Sequence, residues 1–255
     1  MMSELTQRFD AVLARIAVAV AASGTTRTVR LVAVSKGHGA ETVEELARHW
    51  SVRPLFGESY MQEARDKILQ VRELLDARGT QEYTAIVPEW HFIGHVQSKK
   101  AKDIVGRFSL LHSVDSLKLA QALGKAWRER VAGAPLGLDE AAPGPQPVLI
   151  QVNVGREAQK SGVDPDALEA LTLGIAAMPE LKLQGLMCIP PLAGIGKDSR
   201  PYFVLLRELR DKMESVCGLR LPELSMGMSD DFLAAIEEGA TLVRVGTDIF
   251  GPRKA

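Results

Sequence analysis

A lysine at the end of an apolar segment is the first candidate for chemistry in this chain. Residues 31–35 read Leu-Val-Ala-Val-Ser and run directly into Lys36. A strand end withdraws part of the side chain from water, which lowers the pKa of an amine. An amine with a lowered pKa is what Schiff-base chemistry requires. The alternative is a lysine whose stem covers apolar surface while its ammonium group stays in water.

Two glycine-containing segments near the C-terminus have the composition of a phosphate-binding site. One begins at Ser225 and reaches Ser229, and the other contains Gly246 and Thr247. Glycine lets backbone N–H groups approach an anion closely, and a helix start adds a favourable dipole. The same residues could serve only as tight turns and as a helix cap. The chemistry alone leaves both interpretations open.

An arginine interrupts the apolar segment that precedes the second of these glycines. Arg244 lies two residues before Gly246, so strand alternation places both on the same side. A buried guanidinium needs a partner. It could face a ring whose phosphate lies on the Gly246 segment, or it could form a salt bridge with a carboxylate such as Glu58 or Asp248.

Two histidines, His91 and His95, have the four-residue spacing that suits a metal ion on a helix. They fall on an apolar segment that is typical of a strand, where four residues span roughly 13 Å. The two rings could not share one ion at that distance. We therefore expect no metal site there.

Short apolar segments alternate with amphipathic helical segments from residue 30 onwards. They are rich in Val, Ile and Leu, as is typical of parallel strands covered on both sides. Eight such units favour a single (β/α)8 TIM-type barrel, with its site at the C-terminal ends of the strands. The expected strands are Arg30–Lys36, Pro54–Gly57, Trp90–Gly94, Leu110–Val114, Val148–Val154, Leu183–Cys188, Pro222–Ser225 and Leu242–Gly246.

Polar residues mark the expected helix starts. Capping boxes pair Thr42 with Glu45 and Ser59 with Gln62, and Asp115 is expected to cap the helix that follows it. Asp164 before Pro165 and Ser229 before two aspartates are further start signals, and Gly239 marks a helix end. The expected loops are 133–147, 79–89 and 192–198.

Composition indicates a soluble cytoplasmic protein of one domain over residues 1–255. Lys plus Arg (31) nearly cancels Asp plus Glu (32), which argues against a nucleic-acid partner. The two cysteines, Cys188 and Cys217, suit a reducing compartment. Residues 5–20 have helical spacing interrupted by charge, which predicts an extra N-terminal helix packed on the barrel and no signal peptide or membrane partner.

Several segments together resemble one known family, the YggS/PROSC pyridoxal-phosphate homeostasis proteins. The resemblance extends from the first strand to the end of the chain, in order. The family's barrel is similar to that of alanine racemases, called fold type III. The matching segments are LVAVSK (31–36), FGESYMQEA (56–64), WHFIGHVQSKK (90–100), LLHSVDSLKLA (110–120), VLIQVNV (148–154), QKSGV (159–163), GLMCIPP (185–191) and LSMGMSDDFLAAIEEGATLVRVGTDIFGPR (224–253).

The resemblance implies pyridoxal phosphate as the cofactor, bound to Lys36 through a Schiff base. It implies a phosphate held by Ser225, Gly246 and Thr247 and a ring nitrogen facing Arg244. Met226 and Asn153 are implied to lie close to the cofactor. The chain departs from the family pattern at Ser59, at Lys99 and at residues 37–39, where Gly-His-Gly predicts a looser loop.

The function implied by the resemblance is to buffer or deliver the cofactor, with no established catalytic turnover. Such a protein supports vitamin B6 and amino-acid homeostasis, is expected to be a monomer, and has apo-enzymes as candidate partners. The alternative is an amino-acid racemase, which needs a second acid/base group. In alanine racemases an additional domain supplies a tyrosine for that role, and we expect no such domain here. Arg244 stays protonated, so the ring would be a poor electron sink, which is unsuited to transaminase chemistry but tolerated by a racemase.

Overall fold

The computed structural model describes residues 2–77, 87–133, 144–191 and 199–252. Eight parallel strands close into a barrel, each paired with the next and the last with the first. This confirms the predicted fold class. The strands are β1 (Arg30–Val34), β2 (Leu55–Glu58), β3 (Glu89–Phe92), β4 (Leu110–Val114), β5 (Gln146–Val152), β6 (Leu181–Cys188), β7 (Glu223–Ser225) and β8 (Leu242–Val245).

Helices follow the strands and cover the outside of the barrel. Short 3-10 turns lie at Ser98–Lys100 and Pro165–Ala167. The helices are α1 (Glu4–Ser23), α2 (Ala40–His49), α3 (Met61–Ala77), α4 (Ala101–Ile104), α5 (Leu117–Ala132), α6 (Leu168–Ala176), α7 (Arg200–Cys217), α8 (Phe232–Glu237) and α9 (Thr247–Phe250).

Every expected strand is present, with its ends shifted by at most two residues. The expected loops are only partly covered, because residues 78–86, 134–143 and 192–198 lie outside the described residues. No helix in the described part of the chain is long and apolar enough to span a membrane.

The N-terminal helix is part of the packed structure, as predicted. Ser3 caps α1 by accepting a hydrogen bond from the N–H of Thr6. Phe9 is buried, and its ring meets the edge of Trp50 at a centroid distance of 4.7 Å. At the other side of α1, Arg15 forms a 2.6 Å ion pair with Asp248 next to the end of β8. The helix therefore ties the last unit of the barrel to the first.

Helix starts agree less well with the sequence signals. Asp164 does accept a hydrogen bond from the N–H of Asp166, as expected for a cap. Thr42, however, lies inside α2, because that helix already begins at Ala40 after Gly39. Ser116 rather than Asp115 caps α5, through its hydroxyl and the N–H of Leu119.

Two further cap predictions are wrong for a reason that bears on function. Helix α3 begins at Met61 and helix α8 at Phe232, so neither Ser59 nor Ser229 is the residue directly before its helix. Both serines line a cavity at the mouth of the barrel instead. The predicted end at Gly239 is confirmed, since its φ is +91° just after α8.

Candidate functional site

A cavity of about 250 Å³ opens at the C-terminal ends of β1 and β8. These strands are paired, with Val32 opposite Arg244. Because side chains alternate along a strand, Lys36 and Arg244 belong to the same side of the sheet. The cavity wall has polar side chains or backbone groups from Lys36, His38, Ser59, Ser229, Asp230, Arg244, Gly246 and Thr247.

The backbone on both sides of Lys36 is held by a second, buried lysine. The ammonium group of Lys67, on α3, donates to the carbonyl oxygen of Ser35 at 2.7 Å and to Glu63 Oε1 at 2.7 Å. Glu63 Oε1 also accepts a 2.6 Å hydrogen bond from the N–H of Gly37. The backbone groups of Ser35 and Gly37 are thus bonded to side chains of α3. These bonds restrict the position of the Lys36 backbone, and with it the position of the Lys36 side chain.

Lys67 also forms a buried ion pair. Its Nζ lies 2.7 Å from Glu58 Oε1, which in turn accepts a 2.7 Å hydrogen bond from the Ser35 hydroxyl. Burial raises the pKa of Glu58, and the charge of Lys67 opposes that rise. The other carboxylate oxygen, Oε2, has no hydrogen-bond partner among the described residues. Sequence analysis missed Lys67, since nothing in the pattern of α3 distinguishes it from a solvated lysine.

The Gly-His-Gly loop after Lys36 is held by hydrogen bonds and a ring contact. Gly37 has a φ of +80°, which favours glycine, and its N–H is bonded to Glu63. The N–H of His38 donates to the carbonyl of Ser35 at 3.1 Å. The ring of His38 stacks on Phe250 with centroids 4.9 Å apart. These contacts hold the loop in place, and its being looser than the family's loop stays a prediction.

Arg244 is held by neutral acceptors. Its Nη1 donates to Ser225 Oγ at 2.6 Å and its Nη2 to the carbonyl of Cys188 at 2.9 Å. The two carboxylates considered from the sequence are paired elsewhere, Glu58 with Lys67 and Asp248 with Arg15. Burial lowers the pKa of Arg244, and the guanidinium still remains a cation.

The two candidate phosphate segments are placed differently. Gly246 and Thr247 line the cavity, as does Ser229 after β7. Within the described ranges, no residue accepts a hydrogen bond from the backbone N–H of Ser229 or Thr247. Ser225 and Met226 are fully buried beneath the cavity wall, and the Ser225 hydroxyl is engaged by Arg244.

Asn153 lies just after β5 and closes its own loop. Its side chain donates to the carbonyl of Glu157 at 2.9 Å and accepts from the N–H of the same residue at 3.2 Å. Asn153 is not among the residues at the cavity wall. The proximity to a cofactor that the resemblance implies for Asn153 and Met226 stays a prediction.

The two histidines with metal-like spacing face different surroundings. His91 is buried inside the barrel, with its Nδ1 2.9 Å from His112 Nε2. His95 is exposed, and its Nδ1 lies 3.7 Å from Asp115. In the described part of the chain, no group of His, Cys, Asp and Glu has the arrangement of a metal site.

A family model described as "Alanine racemase, N-terminal domain" matches residues 8–254. The fold and the strand-end cavity therefore define a barrel of the alanine-racemase class. A curated relative from Pseudomonas aeruginosa, named pyridoxal phosphate homeostasis protein, is 41% identical over 253 residues, which cover 99% of this chain and 97% of the relative. The chain belongs to the family of pyridoxal phosphate homeostasis proteins, as the sequence resemblance indicated.

Solved structures agree with this assignment. PipY from Synechococcus elongatus, whose structure has PLP bound, is 29% identical with a TM-score of 0.77, and the match covers 97% of this chain and 100% of PipY. Alanine racemase from Corynebacterium glutamicum shares the fold alone, at 19% identity and a TM-score of 0.62. That match covers 96% of this chain and 61% of the racemase.

Proposed function

We propose that this protein binds pyridoxal phosphate at the mouth of the barrel, covalently through Lys36, and buffers or delivers the cofactor without turning over amino acids. The observation that supports this most is the convergence of an amine, a buried guanidinium and backbone N–H donors on one cavity. The identity of the ligand is proposed from the relatives of this protein. PipY has PLP bound, and the Pseudomonas protein is called a pyridoxal phosphate homeostasis protein.

The residues at the cavity fit the parts of the cofactor. When bound, pyridoxal phosphate supplies an aldehyde that condenses with amines. Lys36 is the amine at the wall of the cavity. The phosphate is assigned to the N–H groups of Ser229 and Thr247, next to Gly246, which lies between β8 and α9. The ring nitrogen is assigned to Arg244. Ser225 is given a role other than the predicted phosphate contact, because it is buried and its hydroxyl accepts from Arg244 at 2.6 Å; in this proposal it acts on the cofactor through Arg244.

The chain's own residues favour holding a cofactor over racemisation. A racemase needs a second acid/base group opposite the lysine. Tyr60 and Tyr202, the tyrosines in the described ranges, are not among the residues at the cavity wall. Arg244 does not give its proton to the ring nitrogen, so the ring would be a poor electron sink; this argues against transaminase chemistry, whereas a racemase tolerates it.

The proposal covers the whole chain as one domain, residues 1–255, acting as a monomer in the cytoplasm. Cys188 and Cys217 are free thiols, which suits a reducing compartment. The partners proposed are pyridoxal phosphate and apo-enzymes that require it, with no catalytic residue assigned in this chain.

Attachment to Lys36 is tested by reduction and mapping. Purified protein is loaded with pyridoxal phosphate, reduced with sodium borohydride and digested, and the modified lysine is located by mass spectrometry. We expect the label on Lys36, and its loss in Lys36→Ala together with the near-visible absorbance of the bound cofactor. Lys100→Ala, an exposed lysine paired with Asp103, is the matched control and should keep both. Label on another lysine would move the site.

Absence of turnover is tested separately. The loaded protein is incubated with L-alanine and other amino acids, and D-isomers and keto acids are measured over time. We expect transfer of the cofactor to an apo-enzyme without product formation. Turnover of about 1 s⁻¹ or faster, within the usual range for enzymes, that disappears in Lys36→Ala would contradict the carrier function and favour a racemase.

A further inference from the structure

The inside of the barrel contains a hydrogen-bonded series of polar side chains, in the place where layers of aliphatic side chains usually lie. We call it the interior chain; it consists of Glu89, His91, His112, Ser225 and Arg244. His91, His112 and Ser225 have an exposed fraction of 0%, and Arg244 of 4%. The five residues come from β3, β4, β7 and β8. Polar groups buried this deeply are stable only when they bond to one another.

Hydrogen bonds connect the interior chain without a break. Arg244 Nη1 lies 2.6 Å from Ser225 Oγ, and Ser225 Oγ lies 2.9 Å from His112 Nδ1. His112 Nε2 is 2.9 Å from His91 Nδ1, and His91 Nε2 is 3.1 Å from Glu89 Oε1. A cation at the cavity is thus connected to a carboxylate at the opposite end of the barrel.

The chemistry of the two ends determines where the protons lie. A guanidinium only donates, so Ser225 Oγ accepts from Arg244. The serine proton then points to His112 Nδ1, which leaves the proton of His112 on Nε2. That proton points to His91 Nδ1, and His91 donates from its Nε2 to the carboxylate of Glu89. For neutral imidazoles, this order places the proton of both rings on Nε2.

The reverse order of protons is unfavourable for neutral rings. If His112 donated from Nδ1 to Ser225, its Nε2 would have to accept from His91 Nδ1. The lone pair on His91 Nε2 would then face the carboxylate of Glu89, with no proton between them. One order alone satisfies every group.

Burial favours neutral imidazoles at both positions, and the cations near His112 add to its effect there. His112 faces His91, Arg244 and Arg30, and His91 faces Glu89, Arg30 and Glu223. Burial and the neighbouring cations lower the pKa of His112, and burial lowers that of His91 in spite of Glu89. Arg30 is paired with Glu223 at 2.9 Å and lies 3.9 Å from Glu89 Oε1, the oxygen that accepts from His91.

We propose that Ser225, His112 and His91 are positioning residues for Arg244. The ordered chain keeps the Ser225 hydroxyl turned as an acceptor towards the guanidinium, and it links this buried cation to the negative charge of Glu89. Arg244 is thereby held against the floor of the cavity as a donor to the cofactor's ring nitrogen. The inference rests on the proposed binding of pyridoxal phosphate, which it deepens.

The proton order is tested first in the protein without cofactor. Nitrogen-15 NMR of the histidine side chains distinguishes the two neutral forms and the protonated form. At pH 7.5 we expect His91 and His112 both neutral, with the proton on Nε2. A proton on Nδ1 of either ring, or a doubly protonated ring, would overturn the proposed chain. This measurement does not depend on whether the cofactor binds.

Variants then test the effect on Arg244. Ser225→Ala removes the acceptor, and we expect cofactor retention about ten- to hundredfold weaker, the effect of losing one hydrogen bond to a charged group. His112→Phe should have a similar effect, and the double variant should be no weaker than Ser225→Ala alone, since the two act in series. His112→Asn, whose Oδ1 can accept from Ser225, should recover part of the loss.

Ser113→Ala is the matched control, a buried serine on β4 whose hydroxyl donates to the carbonyl of Gly94 outside the interior chain. It should retain the cofactor as the wild type does, with an unchanged absorbance spectrum, whereas Ser225→Ala should shift the spectrum. Retention by Ser225→Ala within twofold of wild type, or an equal loss in Ser113→Ala, would refute the positioning role. If the wild type binds no cofactor, the proposed function fails, while the NMR result still decides the proton order.

Discussion

Two lysines at one end of the barrel have opposite tasks. Lys36 lines the cavity, whereas Lys67 is buried and satisfies Glu58, Glu63 and the carbonyl of Ser35. A buried ion pair adds little net stability when it is complete, because each charge has lost its water. Removing one member is costly, since the other charge then stays buried without a partner.

Lys67→Met should therefore destabilise the fold by about 3–5 kcal/mol. The measurement is urea unfolding followed by circular dichroism at pH 7.5. Adding Glu58→Gln to the same chain should recover part of the loss, because it removes the unpaired carboxylate. Lys100→Met, at an exposed ion pair, is the control and should change little. A loss below about 1 kcal/mol in Lys67→Met would contradict a buried, charged pair.

Site residues can be predicted from the sequence when their residue type is unusual for their position on a strand. Lys36 and Arg244 stand out because a charge interrupts or ends an apolar strand, and both line the cavity. His112 and Lys67 do not stand out. A parallel strand is buried on both faces, so alternation alone does not say which face of β4 points into the barrel.

Strand β8 packs closely against β1, which leaves little room for a side chain at Gly246 beside the cavity. A Cβ added to Gly246 would lie 3.2 Å from the carbonyl oxygen of Val34 and 3.3 Å from its Cβ. The glycine thus lets the first turn of α9 begin directly at the cavity wall. The loop after β7 is tied to the same place, since the N–H of Arg244 donates to the carbonyl of Gly227 at 3.0 Å.

Gly246→Val should weaken retention of pyridoxal phosphate by about ten- to hundredfold, as expected for the loss of one charge-assisted hydrogen bond. A β-branched side chain there presses on Val34 and moves the N–H groups of the α9 start away from the phosphate. Equilibrium dialysis with the cofactor measures the change. Gly144→Val is the control, because a Cβ at Gly144 meets nothing within 4 Å. Equal retention in the two variants would contradict this placement of the phosphate.

The elements themselves were largely predictable, and their boundaries were not. Strands could be found because their apolar runs are dictated by burial on both sides. Helix starts depended on polar residues that have other uses in this fold. Ser229 is a residue type that often caps a helix, yet it lies in a turn at the cavity wall. The side chain of Asp231, directly before α8, accepts a hydrogen bond from the N–H of Met228 at 2.7 Å.

The stability of the whole molecule should respond to acid through the interior chain. Burial lowers the pKa values of His91 and His112, and the hydrogen bond from His91 lowers the pKa of Glu89 to about 2. A base with a lowered pKa in the fold takes up its proton on unfolding. The stabilisation is therefore complete above the ordinary histidine pKa of about 6.5 and is lost as the pH falls below it.

As the pH falls through 6.5 we expect each of the two imidazoles to reduce the free energy of unfolding, with a slope of at most about 1.4 kcal/mol per pH unit. Urea unfolding between pH 7.5 and 5.5 measures the slope. Glu58 acts in the opposite direction, because its raised pKa makes its contribution fade as the pH rises. Since Glu58 is common to both proteins, the difference in slope between wild type and His112→Phe reports His112 together with its bonded neighbour His91. Identical slopes would show that His112 is not a buried neutral ring.

The interior chain also limits how this barrel can assemble. Its members are contributed by two strands from the first half of the sequence and two from the second. In a half barrel of β1 to β4, His112 would lack its hydrogen-bond partner Ser225. In the other half, β5 to β8, Arg244 would keep its hydrogen bond to Ser225, but Ser225 would lack His112. In each half the inner face of the strands would be open to water, and the hydrogen bonds that cross between the halves, each worth about 0.5–1.5 kcal/mol, would be missing. We therefore expect the two halves, expressed as separate polypeptides, to remain unfolded alone and to acquire structure only when they are mixed and the ring of strands closes.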